Sequence, residues 1–227
     1  MNMPPAQPRV AILIFAENRQ RDLRRKGFSS RFSPLLSLPA LSAAGADLHW
    51  FSNNTSEIAE RDVRVHRQRG RSFGQRLENA VNDLAAEGYD RVVIVGRDCP
   101  QLTSDHVSNA IQLLDSNQLV IGPDHRGGCW LIGLHTADRA RLHRIRWQQN
   151  TDADELLARF DSAAVALLER KLDLDHTGDL TILARLFVLP TPLFPSIPDS
   201  RDIARHGALH FIQRFVQIPP PVVLPAA

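Results

Sequence analysis

Apolar residues along the chain follow two rhythms. Val10 to Phe15 (VAILIF), Val92 to Val95, Leu119 to Ile121 and Cys129 to Leu134 are continuous apolar runs, mostly aliphatic, without the polar alternation of a half-exposed strand. Such runs suit strands covered on both faces, as in a parallel sheet. Asp47 to Phe51 and Ala163 to Leu168 add two further candidate strands. Between them the apolar positions recur at helical spacing. Phe73, Leu77, Val81 and Leu84 make one stripe, ending at Gly88, and Val107, Ala110, Ile111 and Leu114 make another that Thr103 or Ser104 can cap. A short helix is expected over Ala137 to Leu142. Thr151 and Asp154 stand at capping-box spacing before Leu156, Leu157 and Phe160, and Leu180, Leu183, Ala184 and Phe187 complete the set. Strands alternating with helices predict a single-domain three-layer α/β/α, Rossmann-like fold with a mostly parallel sheet and helices on both faces. The expected domain runs over 9–189, after a disordered N-terminus at 1–8. The Pro-rich remainder, 190–227, carries one helix near 201–216 and an apolar tail that is either disordered or docked on a protein partner.

Composition changes this picture little. A chain of 227 residues with 43% hydrophobic content is ordinary for a soluble globular domain. The 27 Lys and Arg are offset by 25 acidic residues, so nucleic acid is not an expected partner. Cys99 and Cys129 sit in or beside apolar strands and read as reduced thiols. No apolar run reaches the roughly 20 residues of a membrane span, and MNMPPAQPRV lacks the pattern of a signal peptide, so a cytoplasmic location is expected. Charge is unevenly placed, however. Arg19, Arg21, Arg24, Arg25, Lys26 and Arg31 follow the first strand, where a Rossmann-like unit binds phosphate. Two loop readings stand there, a phosphate-facing one and a merely solvated one.

The chemistry gathers between Arg91 and Leu134. Asp98 lies just past the carboxyl end of a buried strand, where open α/β sheets bind ligands, although a carboxylate there also serves as a turn residue. Gly122, Pro123, Asp124, His125, Arg126, Gly127 and Gly128 form a loop that lets a ligand approach the backbone. His125 titrates in a range useful for acid–base work, but a lone loop histidine is more commonly a surface residue. Further on, Asp173 and Asp175 alternate to the same side of an extended segment.

The wording VGRDCPQLT at 95–103, VIGP at 120–123 and GGCWLIGL at 127–134 resembles the glycosyltransferase-A-like family called rSAM/selenodomain-associated transferase 1. That family of unknown function is distantly similar to the nucleotidyltransferases of molybdopterin guanine dinucleotide and coenzyme F420 synthesis. The resemblance extends to Gly70, Gly74, Arg76 and Leu77, and to Asp173, Asp175, Asp179 and Leu180 in the family's Asp-Ile-Asp-Thr-Pro-x-Asp-Leu pattern. It implies a metal-dependent transferase with a nucleotide-sugar or nucleotide donor and a small-molecule acceptor. Asp98 and Asp175, or Asp173 in its place, would be catalytic and would hold Mg2+ or Mn2+. Arg19, Arg24, Arg25, Lys26 and Arg31 would face the donor's phosphates, Gly127 and Gly128 would line the acceptor side, and Arg76 and Asp124 would also bind substrate. The chain also departs from the family. Its first loop lacks the Lys-Thr-Arg-Leu ending, Ser72 replaces an acidic residue, and Arg126 stands where the family is acidic before the glycine pair. Two rival readings follow. One is a nucleotidyltransferase that releases pyrophosphate; the other is a non-catalytic relative that binds a partner through its C-terminal segment.

Overall fold

The computed structural model describes residues 7–30, 41–54 and 63–188, with side chains up to 183. Arg31, residues 1–6 and the Pro-rich extension from 190 onward lie outside the described residues. The described strands are β1 (Val10–Ala16), β2 (Ala46–Ser52), β3 (Val63–Arg67), β4 (Arg91–Val95), β5 (Leu119–Pro123), β6 (Cys129–His135) and β7 (Val165–Leu167). They form one seven-stranded sheet in the order β3-β2-β1-β4-β6-β5-β7. All neighbours are parallel except β6, which runs antiparallel to both β4 and β5. The chain leaves β1 toward β2 on one side and later returns to β4 on the other. The crevice between β1 and β4 is therefore a topological switch point, the usual ligand position in such sheets.

Period-two alternation in the strands divides the core between the two faces. Ala11, Leu13 and Phe15 pack with Leu77, Val81 and Leu84 of α2 (Phe73–Ala86). Ile12 and Ile14 pack on the other face with Val107 and Ala110 of α3 (Ser104–Leu113), together with Trp130. Thr103 is the N-cap residue of α3, and the His106 side chain accepts from its backbone N–H.

Four local expectations need correction. The basic stretch after β1 is a helix rather than a loop: α1 (Arg19–Arg25) is capped by Asn18, whose side chain accepts from the Arg21 amide at 3.0 Å, and it buries Leu23. Arginine and glutamine are good helix formers, and one buried leucine suffices to dock so short a segment. Val63 to Arg67, not among the expected strands, is an edge strand whose exposed arginines discourage further strand pairing. The capping box at α4 (Asp152–Leu157) does not form. Thr151 occupies the N-cap position, but its hydroxyl donates to Glu155 at 3.3 Å. Residues 162–164 form a 3-10 turn, so β7 is only three residues long. The final helix, α5, spans Thr177–Val188.

A buried polar relay ties β2 and β3 to the entry of β4. His49 is fully buried, with Nδ1 2.9 Å from His66 Nε2 and Nε2 2.9 Å from the Tyr89 hydroxyl. Tyr89 donates to Asp47 at 2.5 Å and accepts from Arg64 at 2.9 Å. Because the single phenolic proton goes to Asp47, His49 donates from Nε2 to the phenolic oxygen, and in the neutral ring its Nδ1 is left to accept from His66 Nε2. Burial, together with His66 and Arg64, pushes the His49 pKa down to about 4.

The unfolded chain therefore takes up this proton first as the solution is acidified. Stability from this source is complete above about pH 6.5 and drains away as pH falls toward 4. We expect a loss on the order of 2 kcal/mol over that window, measured by urea denaturation, and a shallower loss in His49→Gln. An equal pH slope in the variant would contradict the assignment.

Candidate functional site

At the carboxyl edge of the sheet, between β1 and β4, lies a cleft enclosing about 280 Å³. Its floor comes from strand ends: Phe15 and Ala16 of β1, Ile94 and Val95 of β4, and Ile132 of β6. β4 ends in Gly96-Arg97-Asp98, and β5 ends in the Asp124 to Gly128 loop. The segment beyond β7 runs alongside β5, joined by a bridge between Asp124 and Lys171, and so delivers Leu172 to Asp175 to the same edge. Leu174 N–H donates to the Asp98 carbonyl at 2.8 Å, fixing the two acidic loops against each other.

One ligand oxygen from each of Asp98, Asp173 and Asp175 lies within 4.8 Å of the others. The Lys26 ammonium, whose side chain is 2% exposed, enters this cluster from the C-terminal end of α1. It donates to Asp98 Oδ2 at 2.6 Å and to the Leu174 carbonyl at 2.6 Å, and lies 3.5 Å from Asp175 Oδ1. Burial alone would raise the pKa of Asp98, but the Lys26 charge outweighs it and holds the carboxyl below its ordinary value. Asp173 goes the other way: burial and the neighbouring Asp98 charge push its pKa well up, and its Oδ1 is buried without a partner.

Arg126 does not present a positive charge to the cleft. Its guanidinium grips the fully buried Asp179 with both terminal nitrogens, at 2.8 and 3.1 Å, and reaches Asp175 Oδ2 at 2.9 Å and the Asp173 carbonyl at 2.7 Å. Asp179 in turn accepts the amides of Asp175 and His176 at 2.8 and 3.0 Å. These bonds raise the Arg126 pKa further, and the bond from Arg126 holds Asp179 below the usual carboxylate range despite burial. The third aspartate of the 173–179 pattern is thus the anchor of the loop that carries the other two. Nothing in composition or spacing distinguished that role.

Asp124 and the two glycines form a compact turn at the cleft wall. Asp124 Oδ1 accepts the amides of Arg126, Gly127 and Gly128 at 2.6, 2.7 and 2.9 Å. Gly127 has φ +101°, and a Cβ there would stand 2.1 Å from the Asn150 carbonyl oxygen, so only glycine fits. Asp124 and Gly128 line the cleft, while Gly127 docks the turn onto the 147–153 segment through Ala153 N–H at 3.0 Å.

The basic residues separate. Arg25 lines the cleft and pairs with Asp22 at 3.0 Å, and Lys26 sits in the acidic cluster. Arg19 and Arg24 lie on α1 away from the cleft lining. Arg76 bonds Gln68 at 3.0 Å and Glu17 at 3.1 Å, and Gln68 in turn donates to the carbonyls of Ala16 and Phe51. Arg76 thereby braces the end of β1 behind the cleft. On the opposite wall stand residues the sequence reading had not singled out as site residues: Phe73, Trp147 and Asp152. Ser72, in the place of the family's acidic residue, accepts from the Gln75 amide and caps α2.

Comparison with known proteins agrees with this architecture. A family model described as "Uncharacterized protein conserved in bacteria (DUF2064)" matches residues 39–149. No curated protein matches the sequence. Among solved structures, a protein provisionally described as a nucleotide-diphospho-sugar transferase from Desulfovibrio desulfuricans is 22% identical. That match covers 92% of this chain and 99% of the other, with a TM-score of 0.68. A 4-diphosphocytidyl-2C-methyl-D-erythritol synthase from Anaerococcus prevotii is 10% identical over 93% of this chain and 97% of its own, at 0.54. A cytidylyltransferase from Leptospira borgpetersenii is 14% identical over 97% and 100%, at 0.51. At these identities the likeness is one of fold, the glycosyltransferase-A-like α/β architecture expected from the sequence. Among the described residues no helix is long and apolar enough to cross a membrane.

Removing the Lys26 charge leaves Asp98 and Asp175 facing each other in a largely buried site. We expect Lys26→Met to lower unfolding stability at pH 7 by roughly 2–4 kcal/mol, since Asp98 is partly solvated. Urea denaturation measures it, and a change within about 0.5 kcal/mol, ordinary for a surface site, would refute a structural role for this pair.

Proposed function

We propose that this chain is a metal-dependent transferase that takes a nucleotide-sugar or nucleotide donor, with Asp98, Asp173 and Asp175 as the ligands of Mg2+ or Mn2+. The observation that carries the reading is the charge balance of the cluster. Among the described residues, Asp98, Asp173, Asp175 and Asp179 gather around two permanent cations in direct contact, Lys26 and Arg126, with Arg25 farther from Asp98 and His176 3.5 Å from Asp179. With all four carboxylates ionised, two negative charges remain, the complement of a divalent ion. Burial and the neighbouring Asp98 charge push the Asp173 pKa up, the direction expected where carboxylates outnumber cations. The donor set fits a hard cation, being carboxylate oxygens only, and the partnerless Asp173 Oδ1 supplies a ready ligand. Such an ion neutralises donor phosphate charge and stabilises the leaving group in displacement reactions.

The chain's own residues would do the rest. Lys26 keeps Asp98 ionised and oriented, and Arg126 with Asp179 holds Asp175 in place from behind. Arg25, half exposed at the cleft wall, is the cation of the α1 run best placed for a phosphate oxygen. The kinds of protein that share the fold support a nucleotide donor.

Calorimetric titration of nucleoside triphosphates and nucleotide sugars, with and without Mn2+, tests the reading. We expect at least one donor to bind in a Mn2+-dependent manner, and Asp98→Asn, which keeps the side-chain shape, to weaken it by about tenfold or more. Pyrophosphate release in turnover would mark a nucleotidyltransferase and nucleoside diphosphate release a glycosyltransferase. If no donor binds in either condition, the reading fails in favour of a non-catalytic binding protein.

A further inference from the structure

The lip of the cleft at the end of β1 gathers more positive charge than the one arginine the donor reading uses. Glu17 follows Ala16 directly and lines the cleft. Guanidinium groups from three separate segments meet on this residue. Arg76 of α2 donates to its Oε1 at 3.1 Å, Arg21 of α1 lies 3.9 Å from its Oε2, and Arg97, past the end of β4, donates to its backbone carbonyl at 2.5 Å. Arg25 lines the same wall, within reach of the charges of both Glu17 and Asp98. Beside these four guanidiniums stand two carboxylates, Glu17 and Asp22.

These arginines do not depend on the Glu17 carboxylate for their positions. Arg76 Nε donates to Gln68 at 3.0 Å, and Gln68 is itself buried and bonded to the carbonyls of Ala16 and Phe51 at 3.1 and 3.0 Å. Arg97 is buried and bonds a main-chain oxygen, which stays in place when the side chain of Glu17 turns away. Arg25 has its own partner, Asp22, at 3.0 Å. The Glu17 side chain is the loose member of the group. It stands on the short link between β1 and α1, one guanidinium bonds its carboxylate, and 20% of the side chain is exposed. Glu17 lines the cleft and Arg76 does not, so the carboxylate stands between that guanidinium and the cavity.

We propose that Glu17 is an internal substitute for a ligand phosphate, and that a phosphate group bound at the end of β1 displaces its carboxylate from Arg76 and Arg21. Assigning that phosphate to a transferase donor rests on the reading above; the anion subsite itself does not. The chemistry selects the ligand class. A guanidinium fork suits carboxylate and phosphate alike, and a phosphate brings more oxygens and more charge to it. A neutral ligand has no charge with which to replace a carboxylate among guanidiniums, and a cation is repelled. Glu17 therefore sets how strongly an anion is held. Its charge opposes an incoming phosphate, and its bond to Arg76 must break before that arginine is reached. Arg25, near both Glu17 and Asp98, joins this subsite to the aspartate cluster.

The test is calorimetric titration of inorganic pyrophosphate into the full chain with a chelator present, so that no metal ion contributes. We expect Glu17→Gln and Glu17→Ala to bind pyrophosphate more tightly than wild type by about tenfold or more, and Arg76→Gln added to Glu17→Gln to abolish the gain. Glu87→Gln removes the same charge at the far end of α2, from an exposed residue, and should change nothing. Glu17→Gln keeps the side-chain shape and an oxygen for Arg76; Glu17→Ala decides if that variant fails to fold. The proposal is overturned if neither variant gains affinity, if Glu87→Gln gains as much, or if the gain survives the loss of Arg76. Titration of the wild-type protein with nucleotides and Mn2+ separates the two readings. If a nucleotide binds but Glu17→Gln gains nothing, the donor reading stands and this subsite falls. If the variant gains for pyrophosphate but no nucleotide binds, the subsite stands and the donor reading falls.

Discussion

The site depends on one ammonium group. Lys26 reaches from the end of α1 to Asp98, 72 residues on, and to the Leu174 carbonyl, 148 residues on. It thereby joins the exit of β1, the exit of β4 and the segment after β7 at one point. A buried ion pair repays its desolvation only when the geometry is good and the remaining bonds are satisfied. Here the lysine has short bonds to a carboxylate and a carbonyl, and a second carboxylate close by. Its positive charge also determines how the cluster titrates. The Asp98 pKa is held below its ordinary value beside it, while that of Asp173, equally enclosed but without a cation in hydrogen-bond contact, is pushed well up.

Around that point the fold separates two chemical environments along a single cleft. The β1 and β4 side carries carboxylates braced by Lys26 and Arg126, with Arg25 at its wall. The α2 and α4 side carries the rings of Phe73 and Trp147 and the Asp152 carboxyl, whose pKa burial raises. The Asp124 turn lies between them, its three amides gathered on one carboxylate oxygen and its Gly127 wedged under Asn150.

Much of the fold was legible in the sequence because its central strands are buried on both faces and carry little else than apolar residues. Val10 to Phe15 and Val92 to Val95 are almost unbroken, and the α2 and α3 stripes repeat at helical spacing. The edges were harder to read. β3 is short and basic, and α1 buries a single leucine, so neither shows a pattern above its charge. Within the site, Asp98, Asp173 and Asp175 were readable from position and resemblance. The role of Arg126 was not. A guanidinium beside a glycine pair reads as a charge reversal in one dimension, and only the return of Asp179 to the same place, 53 residues later, turns it into an anchor. Trp147 and Asp152 were hidden for a different reason. Asp152 follows Thr151 at the start of a helix, where a carboxylate has an ordinary explanation, and an unmet hydrogen bond leaves no trace in sequence.

The central claim is that the aspartate cluster is a divalent-cation site, and locating the ion tests it most directly. Crystals of the full chain grown with Mn2+ and a nucleotide, with data collected at the manganese absorption edge, would give an anomalous difference map. The account predicts a peak bonded by carboxylate oxygens of Asp98, Asp173 and Asp175, with Arg126 still holding Asp175 and Asp179. A map with no peak there, and with the Lys26 ammonium still centred among the three carboxylates, would contradict it and leave the cluster as a structural ion-pair network.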